Sequence, residues 1–150
     1  MGYVRQFLRS ESGFNLIELL VVVFIIGFLS AIALPAFLGE QTKGQDADAK
    51  SNVRNVAASV ESCFTERDSY AACDTTSELN AVNTKPDVEI TDTTTKKEGA
   101  VAVSATADTF TVAGYSRSHN TFVMAKAADG TTSRSCTNGG TGGCHTGDVW

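Results

Sequence analysis

The chain is short of basic residues and histidine, and each shortage excludes something. Twelve lysines and arginines face seventeen aspartates and glutamates, for a net charge of −5. An acidic surface repels phosphate backbones, so no specific nucleic-acid partner is expected, and the Lys96-Lys97 pair is too small to reverse that. The two histidines, His119 and His145, lack the Ser or Asp pattern that marks a nucleophile motif, and no enzyme is expected. Four cysteines occur without a CxxC spacing, so a metal site on Cys136, Cys144 and His145 lacks the two close ligand pairs of structural zinc. Asp87 to Asp92 lacks EF-hand spacing, and the glycines at 139–143 do not join a strand to a helix as a phosphate cradle would. Neither a cofactor nor a metal is expected, and no internal repeat is present.

Charge is also missing where the chain is most apolar. The twenty residues Leu19 to Leu38 carry no charged side chain, one hydroxyl (Ser30), one glycine (Gly27) and one proline (Pro35). As a helix they would extend about 30 Å, the thickness of a bilayer's hydrocarbon core. Arg5 and Arg9 precede the run and favour a cytoplasmic amino terminus. The competing reading is a cleaved secretory signal peptide, with Ala31-Ile32-Ala33 as its small-x-small cleavage site. Against it, Glu18 opens the apolar run where a charge has no use, and apolar character continues through Leu34, Ala36, Phe37 and Leu38.

The local order Gly13-Phe14-Asn15-Leu16-Ile17-Glu18-Leu19-Leu20 closely resembles the class III signal of type IV pilins and related pseudopilins. The resemblance is strong over Gly13 to Pro35 and weaker beyond; Asn15 stands where Thr is often found. It implies a leader over 1–13, removed by a prepilin peptidase between Gly13 and Phe14, with Phe14 becoming the N-methylated terminus. It implies an anchor over 14–38 and a globular pilin domain over 39–150. Glu18 would then pair with the terminal amine of a neighbouring subunit. An uncompensated charge in lipid costs on the order of 2.5–3.5 kcal/mol, so only a correctly staggered neighbour satisfies it. Gly27 and Pro35 become candidate points of curvature or unwinding. The implied function is a structural subunit of a type IV pilus for adhesion or twitching motility. The implied partners are other pilin subunits, the peptidase, the assembly platform with its ATPase, and the membrane before assembly. A pseudopilin of a type II secretion or DNA-uptake system is the near alternative; a monomeric single-pass or secreted binding protein is a more distant one.

Beyond Gly44, Ala49, Val53, Val56, Ala57, Val60 and Phe64 recur at three- and four-residue steps, predicting one helix from about Phe14 to Phe64. Asp46 and Lys50 are one turn apart, as in a stabilising acid–base pair. The segment 65–98 reads as a variable loop with at most a short strand near Val88 to Ile90. Alternating runs at Ala100–Ser104, Thr109–Tyr115, Thr121–Lys126 and Thr131–Cys136, with turns at His119-Asn120 and Asp129-Gly130, predict strands. The expected fold class is α+β: the long helix packed on an antiparallel sheet of three to four strands. Cysteines in even number after a membrane-targeting segment point to disulfides in an oxidising compartment. Four cysteines allow three pairings; Cys63–Cys73 with Cys136–Cys144 is the simplest. The second pair would pin the glycine-rich loop, with Val149-Trp150 tucked onto the sheet.

Overall fold

A computed structural model describes residues 13–84, 86–91, 93 and 95–150. Residues 1–12 of the expected leader, Arg5 and Arg9 among them, and Asp92 of the acidic loop lie outside the described residues. The described chain up to Phe37 forms one compact unit and Leu38–Trp150 a second. Helix α1, Leu16–Arg67, contributes to both.

In the second unit α1 buries Ala49, Val53, Val56, Ala57 and Val60, the predicted stripe, together with Cys63. Phe64 is half-buried and stacks on Tyr70. The helix runs three residues beyond the expected end at Phe64. The sheet facing the stripe has five strands, not three to four, in the order β1-β2-β3-β4-β5. They are β1 (Ile90–Thr91), β2 (Val101–Ala105), β3 (Phe110–Tyr115), β4 (Thr121–Lys126) and β5 (Thr132–Cys136). The last four form the expected antiparallel meander, whereas β1 adds to β2 in parallel, with Ile90 opposite Val101. Two residues carry too little alternation to declare a strand. The Val101 N–H donating to the Glu89 carbonyl at 3.0 Å makes one of them.

The segment 65–98 also holds a 3-10 turn (Tyr70–Ala72) and helix α2 (Thr76–Ala81). α2 is too short to show a 3.6-residue period, so its apolar pattern was invisible. Its start was readable, because Thr75-Thr76-Ser77-Glu78 is a capping box: the Thr75 hydroxyl accepts from the Glu78 N–H and the Glu78 carboxylate accepts from the Thr75 N–H. Leu79 then fills the core.

Inward-facing positions follow the register. Val103, Val112 and Met124 form one row, which ends on the edge strand at the exposed Arg134, and Val101, Gly114, Phe122 and Cys136 form the next. Gly114 is where helix and sheet approach most closely. A Cβ there would lie 2.5 Å from Val53 Cγ2 and 3.0 Å from the Ala49 carbonyl oxygen. At the other end Glu61 accepts from the Tyr70 hydroxyl at 2.8 Å and from Lys126 Nζ at 2.7 Å, tying β4 to α1. The cysteines pair as Cys63–Cys73 and Cys136–Cys144. Cys136 and Cys144 are thereby spent on each other, and a metal site with His145 has no thiolates to use.

Because no side chain fits at Gly114, Gly114→Val is expected to push α1 off the sheet and lower unfolding stability by about 1–3 kcal/mol, read by chemical denaturation. Reducing both disulfides should cost roughly 2–3 kcal/mol per loop on the same assay; an unchanged midpoint under reductant would contradict that.

Candidate functional site

α1 opens on a cap written in its own sequence. Asn15 Oδ1 accepts from the Ile17 N–H and the Asn15 N–H donates to Glu18 Oε2, each at 3.4 Å. These bonds are long; Asn15 caps the helix through the Ile17 N–H, and Glu18 reaches back to the Asn15 N–H, half of a capping box. Glu18 also sits in the first turn, where a carboxylate complements the helix dipole. It therefore has a role within its own chain that the sequence analysis missed, although the Asn-x-x-Glu spacing was legible.

Phe14 and Glu18 are exposed, as is every residue from Gly13 to Leu38 except the half-exposed Ser30. An 18-residue window of this helix has a mean hydropathy of 2.8 and none of it is buried, so it is long and apolar enough to cross a membrane. Gly27 and Pro35 lie inside α1, and the backbone stays helical at both. Among the described residues nothing in this unit covers the apolar surface, and the rings of Phe14, Phe24, Phe28 and Phe37 are exposed.

The second unit carries a buried carboxylate. Asp46 is fully buried on α1 and does not pair with Lys50 as expected. Its Oδ2 accepts from the Gly143 N–H at 2.7 Å and Asn120 Nδ2 at 2.8 Å, and its Oδ1 accepts from the Ser118 hydroxyl. Lys50 instead donates to the Gly143 carbonyl and lies 5.1 Å from the Phe122 ring centroid. Acid and base at that spacing thus grip the N–H and the carbonyl of one residue, Gly143, in the disulfide loop. Gly142, at φ +56°, and Gly143 leave no room for a Cβ against Asp46 and Lys50, which is why this loop is rich in glycine. Asn120 Nδ2 also reaches the Thr141 carbonyl at 3.3 Å, and Asn138 Nδ2 donates to Asn120 Oδ1 at 3.0 Å. Beyond Cys144 the expected tuck occurs: Trp150 Nε1 donates to the Val123 carbonyl at 3.2 Å and its ring meets Phe122 edge-on. Arg54 and Arg134 lie 5.1 and 5.4 Å from that ring's centroid.

Burial opposes ionisation of Asp46, but the Gly143 N–H and the Ser116, Ser118 and Asn120 side chains outweigh it and hold the carboxyl below its usual range. A depressed folded-state value means the unfolded chain takes up the proton first as pH falls. The contribution is present above the ordinary aspartate range, about pH 4, and is lost below it. Acid unfolding should therefore steepen below about pH 4. Asp46→Asn should flatten that slope and cost about 1–3 kcal/mol at neutral pH, since its amide presents a donor to Asn120 or to Gly143. An Asp46→Asn variant with wild-type acid sensitivity would show that another carboxyl controls it.

No protein-family profile matches the chain, and no solved structure matches it. Among curated proteins it is 41% identical over 68 residues to the type IV major pilin protein PilA of Myxococcus xanthus, covering 45% of this chain and 31% of that one. It is 33% identical over 78 residues to the type II secretion system core protein G of Pseudomonas aeruginosa, covering 52% of this chain and 54% of that one. A type IV major fimbrial protein FimA of Dichelobacter nodosus is 33% identical over 63 residues, 42% of this chain and 40% of that one. The matches thus span from about a third to about half the length of these relatives. These likenesses, with the long apolar helix, the sheet packed on its second half and the motif at Gly13 to Glu18, are to type IV pilins and to a related protein of a type II secretion system.

Proposed function

We propose that the chain is a structural subunit of a type IV pilus. A prepilin peptidase cuts after Gly13 and methylates the new terminus at Phe14, and the subunit then polymerises through α1. One observation carries this reading. A helix with none of its apolar window buried opens on an exposed carboxylate, Glu18, four positions after Phe14. Lipid satisfies the apolar face but not the carboxylate; a bundle of like helices satisfies both when the amine of one subunit meets Glu18 of another. The cap on Asn15 N–H does not compete, because a carboxylate has lone pairs for both partners. Before assembly 14–38 anchors the subunit in the membrane with its amino terminus cytoplasmic. After assembly it lines the filament core, and 39–150 forms the surface used for adhesion or motility. Gly27 and Pro35 supply the points where the helix curves or unwinds on that transfer.

A pseudopilin role in a secretion or DNA-uptake system is the second reading. The likeness to core protein G favours it, since that match covers the larger share of both chains. The two disulfides and the structured segment 65–98 lean towards a pilus.

Mass spectrometry of the protein from cells should find N-methyl-Phe14 at the amino terminus; a start at Leu34 would mean a secretory signal peptide instead. Glu18→Ala should leave the subunit processed and membrane-bound while filament yield, counted by electron microscopy of sheared material, drops at least ten-fold, the effect of losing roughly 1.4 kcal/mol per added subunit. Wild-type yield would remove Glu18 from the assembly mechanism. Long filaments favour the pilus, and processed subunits without them favour the pseudopilin.

A further inference from the structure

The loop closed by Cys136–Cys144 contains Asn138-Gly139, the one Asn-Gly pair in the sequence. Such a pair is reactive because glycine leaves its nitrogen unshielded and its backbone free to turn. The Gly139 nitrogen attacks the carbonyl carbon of the Asn138 side chain and forms a new C–N bond. The bond from that carbon to the side-chain nitrogen breaks, the Gly139 proton passes to the departing nitrogen, and ammonia leaves. Asn138 is exposed, so water reaches the five-membered imide and opens it at either carbonyl, leaving aspartate or isoaspartate. The fold has no other residue to offer at 139. A Cβ there would lie 2.7 Å from Asp148 Oδ1 and 3.0 Å from the His145 carbonyl oxygen.

The closed loop withholds the geometry this reaction needs. Asn138 lies at φ +62°, in the left-handed region where ψ is about +30 to +60°. At such ψ the Gly139 nitrogen stands nearly anti to the Asn138 Cβ, whereas imide closure needs the two nearly eclipsed. Four hydrogen bonds hold the arrangement. The Asn138 carbonyl accepts from the Thr141 N–H at 3.1 Å and the Thr141 hydroxyl at 2.6 Å. The Gly139 N–H donates to Asp148 Oδ1 at 2.9 Å, and Asn138 Nδ2 donates to Asn120 Oδ1 at 3.0 Å. Once the loop lifts from Asn120 and Asp148, the peptide is free to rotate. The product then fails to fit the place it left. Asn120 also donates through Nδ2 to Asp46 Oδ2 at 2.8 Å. A carboxylate at 138 has no proton to give Asn120 Oδ1, and if Asn120 turns its amide over, its oxygen faces Asp46 instead. Isoaspartate adds a further backbone carbon to a loop already gripped at Gly143. We propose that Asn138-Gly139 is a one-way modification site, guarded in the closed disulfide loop and converted when the loop opens, after which the loop no longer closes properly over Asp46. This concerns the globular unit alone and does not rest on the filament reading.

The full chain in detergent micelles is held in mildly alkaline buffer at physiological temperature, and peptide mass spectrometry follows the amide-to-acid change at 138. Enzymatic methylation of isoaspartate distinguishes the two products. The oxidised fold, the same protein with its disulfides reduced, and the reduced chain in urea are compared. Conversion in the oxidised fold is expected to be at least about ten-fold slower than in urea, since only the opened loop reacts. Reduction alone should speed it. In urea, where folding plays no part, Gly139→Ala should slow conversion, as the imide route requires. Asn138→Asp supplies the α-linked product directly and should melt at a lower temperature than Asn138→Gly, which keeps the left-handed backbone and drops the side chain. Equal rates in the oxidised fold and in urea, or no effect of reduction, would overturn the guarding role. Conversion in urea indifferent to Gly139→Ala would overturn the imide route, and equal melting of Asn138→Asp and Asn138→Gly would show that the loop accepts the product.

Discussion

The seam between the second half of α1 and the inner rows of the sheet is what every other feature of the globular unit hangs on. Val53, Val56 and Val60 are completely buried there, against Val101, Val112 and Phe122. The approach is close because Gly114 offers no side chain to hold the helix away. Such packing leaves no slack, so groups at its margins are fixed to within fractions of an ångström. Asp46, Lys50 and Glu61 gain directed partners because the seam has already set where they stand.

The same helix meets a different demand in its first half. Leu19 to Leu38 have no apolar partner among the described residues, yet the segment is as hydrophobic as a membrane span. A single chain has no means to bury a helix that is apolar all round; it needs lipid, or other helices like itself. The proposed assembly role follows from that unmet demand. The carboxylate at Glu18 makes the demand specific, since lipid answers only the apolar part.

Much of this was legible in residue order. The stripe Ala49 to Val60 has a helical period, and β3 and β4 alternate cleanly, so both were predicted almost to the residue. The Asp129-Gly130 turn gave the last hairpin, and Gly13 to Glu18 gave the resemblance to pilins. The short strand expected near Val88 to Ile90 appears as β1, but its place in the sheet was not predicted, and α2, six residues long, is below the length at which periodicity is a signal. β1 exists because a parallel neighbour offers Glu89 and Ile90 hydrogen bonds; α2 was announced only by its capping box. Asp46 misled for a different reason: acid and base one turn apart describe a helix surface, and this turn of α1 is covered by a loop a hundred residues away.

By itself, then, the sequence determined the elements and the unpartnered helix, because both follow from periodicity and from the length of an apolar run, which are local properties. It also left one simplest cysteine pairing among three. Only the tertiary structure decided which pairing forms, that a fifth strand joins the sheet in parallel, and that Asp46 holds the disulfide loop. Those depend on which side chains arrive at one place from distant parts of the chain, and spacing along a sequence carries no record of that meeting.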